Sequence, residues 1–87
     1  MKHASHPAIL KRLKRAEGHL RTVIAMLEAE KPCLEVAQQL HAVDAAITNA
    51  KRQLIQDHID HCLNEGEDHS HSPHELMGEL RQLSKYL

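Results

Sequence analysis

The chain has no Trp, no Phe and a single Tyr among its 87 residues. Its core must therefore be built from Leu, Ile, Val and Ala, and a core of that kind is thin in so short a chain. There is no strand signal and no internal repeat, so the fold class is all-α in a single domain, 1–87. With only two cysteines and no signal peptide, the expected setting is a reduced cytoplasm, not a disulfide scaffold. The longest apolar runs fall far short of the roughly 20 residues that span a bilayer, which excludes a membrane partner. Serines are few, no Ser/His/Asp set is suggested, and the acids read as solvated or capping residues, so an enzyme is not expected. A net charge of −1 suggests no nucleic-acid partner by itself.

What the sequence does have is helical periodicity. Ile9, Leu13, Ala16, Leu20, Val23 and Leu27 follow one another at spacings of four and three, a seam that predicts a helix over 7–29. Pro7 suits its first turn, with Ser5 or His6 as the cap and residues 1–6 as a flexible arm. Gly18 sits inside this helix, where it permits a close helix approach. Val36, Leu40, Val43, Ile47, Ala50 and Leu54 form the second seam, in a helix from Cys33 to about Glu65 that no proline or glycine interrupts. Only Glu30, Lys31 and Pro32 separate the two, so they should form an antiparallel hairpin. Gly66 is a plausible cap, and residues 66–72 form a His- and acid-rich loop. Ser72-Pro73-His74-Glu75 has a capping-box form, and Leu76, Leu80, Leu83 and Leu87 predict a third helix over 73–86.

Nine histidines are an excess for this length. His58 and Cys62 lie four apart on one helix face, a chelating thiolate–imidazole pair suited to Cu(I), Zn(II), Ni(II) or Co(II). Cys33 is 25 residues before His58, about 37 Å along a straight helix. It cannot join that pair within one chain. An antiparallel second copy would lay Cys33 of one chain beside His58 and Cys62 of the other, making two sites per dimer. His3 and His6, on the arm, could add a ligand. His61 points about 100° away from Cys62 and reads as solvated, or as a substitute for His58. Glu79 is a candidate to hold the second ring nitrogen of His58. His69, His71 and His74 could load metal or form a solvated linker, and His19 and His41 read as surface or interface residues.

Charge is unevenly spread. Residues 1–29 carry six Lys/Arg against Glu17 and Glu28, a net of +4, whereas residues 53–80 carry seven acids and no Lys or Arg. Lys11, Arg12, Lys14 and Arg15 cluster on the first helix, and Arg21, Lys51 and Arg52 could extend the patch. Dimerisation would double it, which suits phosphate contacts along duplex DNA. Without an aromatic platform or helix-turn-helix pattern, backbone contacts and shape readout are expected.

Arg12-x-x-Arg15-x-x-Gly18-His19-Leu20, Cys33, Gln38-Gln39-Leu40 and Asp57-His58-x-x-x-Cys62 together resemble the CsoR/RcnR/FrmR family of bacterial repressors, from Pro7 to Cys62. The resemblance implies a three-helix protomer, an antiparallel four-helix-bundle dimer and a dimer of dimers, hence a homotetramer. It implies that the metal-free form binds double-stranded operator DNA and that an inducer releases it, switching on a metal efflux gene. Copper sensors of the family carry Tyr before the first Cys, where this chain has Pro32; nickel and cobalt sensors add an N-terminal His. Ni(II)/Co(II) is therefore placed slightly ahead of Cu(I) as inducer. Formaldehyde sensors use an N-terminal Pro and lack the last Cys, and persulfide sensors lack the His; Cys62 and His58 argue against each. A metal-storage or metallochaperone protein without a DNA role is the alternative of a different class.

Overall fold

The computed structural model describes residues 6–64 and 73–87, with side chains for 6–61 and 73–87. Three helices run in order: α1 (His6–Glu28), α2 (Cys33–Asn64) and α3 (Pro73–Ser84). No strand occurs among the described residues. The helices fall where the periodicity placed them, to within two residues at each end. His6 is the exception in kind: expected on the arm, it is the first residue of α1. The cap at Ser5, the loop 66–72 and the Ser72 end of the capping box lie outside the described residues.

α1 and α2 form the hairpin, and its turn has a definite hydrogen-bond pattern. Glu30 N–H donates to the Leu27 carbonyl (3.1 Å) and Lys31 N–H to that of Met26 (3.0 Å). These are the paired bonds of a Schellman end, which needs a left-handed residue between helix and exit. That residue is Glu30, at φ 56°, a conformation that costs a side-chain-bearing residue about 1 kcal/mol relative to Gly. Pro32 then opens α2, its carbonyl accepting from Val36 N–H at 3.1 Å.

Each seam splits in two. On α1, Ile9, Ala16 and Val23 are 1–5 % exposed, whereas Leu13, Leu20 and Leu27 are 37–59 % exposed. On α2, Val36, Val43 and Ala50 are 1–6 % exposed against 42–46 % for Leu40, Ile47 and Leu54. Val23, Val36 and Val43 pack together with Met26 beside them, and Ile55 completes the buried set. No leucine is buried among the described residues. Short and β-branched side chains thus fill the space between the two helices, and the leucines stand along its edge.

Two expectations are corrected. Gly18 permits no close approach within the protomer, because a Cβ there would meet nothing within 4 Å. Leu87 is not on the apolar face of α3, which ends at Ser84, where Ser84 Oγ donates to the Arg81 carbonyl at 2.7 Å. Lys85 and Tyr86 continue in tighter i to i+3 bonds, and Leu87 is exposed. Leu76, Leu80 and Leu83 are half-buried, and α3 packs on α2. The radius of gyration is 17.5 Å, against about 12 Å for a compact chain of this length.

Candidate metal and nucleic-acid sites

His58 lies on α2 near the open end of the hairpin. Its Nε2 is 2.7 Å from Glu79 Oε1 of α3. A carboxylate oxygen accepts, so Nε2 carries the proton in this contact and the ring is held in one orientation. Sequence reasoning nominated Glu79 for this place, and the structure brings the two together. They share a cleft of about 220 Å³ with His6, Leu54, Ile55 and Leu83. Leu83 belongs to α3 and Leu54 and Ile55 to α2, so apolar contact and the carboxylate–imidazole bond fix α3 against α2 at the same point. His6 reaches the cleft because α1 begins there and runs antiparallel to α2.

Cys33 is exposed and is the first residue of α2. One uninterrupted helix carries Cys33, His58 and Cys62, so the protomer cannot gather them. No cluster of three or more His, Cys, Asp or Glu poised for a metal occurs among the described residues. The Cys62 side chain and His3 lie outside those residues.

His61 departs from its expected solvated state. It is half-buried, and its Nε2 is shielded from solvent together with Gln53 Oε1 and Asp57 Oδ2. The signal was present in the seam itself. Continued past Ala50 and Leu54, the four-three spacing lands on Asp57, in line with buried Val36, Val43 and Ala50, and then on His61, in line with Leu40, Ile47 and Leu54. On the opposite helix, His6 is the position three before Ile9. The seam is apolar near the turn and polar at the open end on both helices. His74 and His41 are exposed, as expected.

All seven proposed DNA-contacting cations, Lys11, Arg12, Lys14, Arg15, Arg21, Lys51 and Arg52, are exposed. Arg21 is 3.8 Å from Glu17 one turn earlier, an exposed pairing of small energetic weight. At 100° per residue, Lys51 and Arg52 leave α2 in different directions. One polar pair was not anticipated: His19 Nε2 on α1 is 2.7 Å from Gln39 Oε1 on α2. No described helix is long and apolar enough to cross a membrane.

Comparison with known proteins yields a consistent set. The copper-sensing transcriptional repressor CsoR of Mycobacterium ulcerans is 40 % identical over 57 residues, covering 66 % of this chain and 49 % of that protein. CsoR of Bacillus subtilis is 40 % identical over 55 residues, covering 63 % and 54 %. The copper-sensing repressor RicR of Mycobacterium tuberculosis is 38 % identical over 53 residues, covering 61 % and 55 %. The matches thus span about half the length of these relatives. No solved structure matches the chain significantly. The family of metal-sensitive transcriptional repressors, which are not enzymes, matches residues 5–86. Spanning both the hairpin and the helix that carries Glu79, that match means the chain belongs to the metal-sensitive transcriptional repressor family.

Proposed function

We propose that the chain is a metal-responsive repressor that binds duplex operator DNA when metal-free and is released by its inducing ion, derepressing a metal efflux gene. The family match over residues 5–86 carries this reading. The cations of α1 support the DNA partner, since exposed Lys and Arg along one helix supply phosphate contacts and counterion release.

The exposed half of the seam supports assembly. Leu13, Leu20, Leu27, Leu40, Ile47 and Leu54 are each 37–59 % exposed. Covering the remainder would add roughly 5–9 kcal/mol per chain before the cost of association. An antiparallel second copy covers both helices at once as a four-helix bundle, and two such dimers make the tetramer. The same arrangement places Cys33 of one protomer beside His58 and Cys62 of its partner, with residues 1–87 as one sensing and DNA-binding domain.

The donor chemistry fits a transition metal ion. Cys33 and Cys62 would supply thiolates, and His58, with Nε2 held by Glu79, would coordinate through Nδ1. Two thiolates and one imidazole are a soft set suited to Cu(I), and the relatives carry copper-sensing names. Ni(II)/Co(II) is the second reading, favoured by His6, which lines the cleft beside His58 and would add a harder donor. A bound ion would supply a cross-link between protomers, joining the turn end of one hairpin to the open end of the other. Through its bond to His58, Glu79 would pass a shift of the ring to α3, and a coupling of about 1–3 kcal/mol would suffice for a useful change in operator affinity.

Selection from a randomised duplex library with metal-free protein tests the proposal. A defined sequence should be enriched, and stoichiometric Cu(I) or Ni(II) should weaken its binding at least about tenfold. Enrichment of no sequence, with tight metal binding retained, would instead identify a metal-storage protein. Absorption spectra separate the two inducers, because d–d bands report Ni(II) or Co(II) and Cu(I) has none.

A further inference from the structure

The contact between His19 and Gln39 lies on the flank of the hairpin that a second copy would leave open. Taking 100° per residue from buried Ile9 on α1, Leu13 and Leu20 turn to one side by about 20–40°. Arg12, Arg15 and His19 turn to the other side by about 60–120°. They recur at spacings of three and four, so they share one face. Gln39 stands three residues after buried Val36 and four before buried Val43, on the matching flank of α2. Ala42, Ala46 and Asn49 continue that flank toward the open end at the same spacings, and exposed Glu35 lies one turn before Gln39.

The bond also sets which way the amide faces. His19 Nε2 is 2.7 Å from Gln39 Oε1. An amide oxygen only accepts, so the imidazole donates through Nε2–H and the oxygen is engaged at the helix crossing. The Gln39 amide nitrogen, with two N–H groups, is then turned away from that crossing on an exposed side chain. Two guanidinium groups and an oriented neutral donor along one face suit a row of phosphate oxygens.

We propose that Gln39 is a DNA-contacting residue that donates through its amide to a backbone phosphate, with His19 as its positioning residue. This rests on the repressor reading above. It adds an uncharged contact on α2 to the cations of α1, and it makes the contact surface cross both helices of the hairpin.

The test measures binding of metal-free full-length protein to a random-sequence 30-base-pair duplex over a salt series, with melting temperature recorded for each variant. Gln39→Met removes both N–H donors without a change in charge; affinity should fall about 3- to 10-fold at every salt concentration, with the slope unchanged. Gln39→Glu keeps an acceptor for His19 and turns a carboxylate oxygen outward. Its affinity should fall further, with melting temperature preserved. Arg15→Ala should lower the salt slope by about 0.9. If Arg15→Ala weakens binding but both Gln39 variants bind as wild type, Gln39 is only a tie between helices and the proposal is overturned. If Arg15→Ala also leaves binding unchanged, the DNA reading of this face fails, and the Gln39 proposal with it.

Discussion

Two halves of one hydrophobic seam behave differently in this hairpin. Ile9, Ala16 and Val23 meet Val36, Val43 and Ala50 inside the protomer, while Leu13, Leu20, Leu27, Leu40, Ile47 and Leu54 remain about half in water. The buried half is made of small or β-branched side chains that let two helices lie close. The exposed half is made almost wholly of leucine, with more apolar area per residue and a longer reach. A chain that folded only for itself would place its largest apolar groups inside. Here they line a surface that runs the length of both helices, a contiguous apolar strip that the proposed antiparallel pairing would cover.

A charge placed in each half would separate the two roles most strongly. Val43→Asp buries an unpaired carboxylate between α1 and α2 and should cost more than about 3 kcal/mol, removing most helical circular dichroism at every protein concentration. Ile47→Asp touches only the exposed half. It should abolish association, yielding the 9.9 kDa protomer in sedimentation and ending the rise of melting temperature with concentration expected of wild type. Loss of fold in both variants with no change in assembly would erase the distinction.

Complementation asks whether the exposed half is covered by an antiparallel copy. Cys33→Ala chains and Cys62→Ala chains should each lose tight metal binding while still binding DNA. Mixing them should restore one site of the two, because one interface then holds Cys33 from one chain with His58 and Cys62 from the other. A parallel pairing of the same leucines would restore none.

The smallest effect concerns the turn that sets the register between the halves. Glu30→Gly relieves the left-handed strain at φ 56° and should stabilise the protein by about 0.5–1 kcal/mol, read as a higher denaturation midpoint. A destabilised variant would mean that the Glu30 side chain contributes more than the strain costs.

The same periodicity that located α1 and α2 could not say which of its two phases faces inward. Both phases are apolar, and the choice depends on how close two backbones approach, a property of the packed pair. Nor does the spacing show where an apolar seam turns polar with purpose. Asp57 and His61 look like solvated residues of a helix end, yet Asp57 Oδ2 and His61 Nε2 are shielded from solvent, and His58 between them is bonded to Glu79. Glu79 was nominated from the chemistry of a coordinating histidine, whereas the His19–Gln39 contact has no local signal, since its partners are 20 residues apart. Glu30 in a left-handed turn was invisible for a related reason: such positions normally announce themselves as glycine.

The sequence by itself determined three helices, an antiparallel hairpin, and a Cys33 too far along α2 to meet His58 in the same chain. These follow from local rules, the rise per residue and the reach of a three-residue turn, which act before any tertiary contact forms. Only the tertiary structure decided that valine and alanine go inside while leucine stays out, that His6 starts a helix beside His58, and that Glu79 holds the His58 ring. Those outcomes depend on the separation of helix axes and the placement of α3, which arise from packing among distant residues that no spacing along one helix encodes.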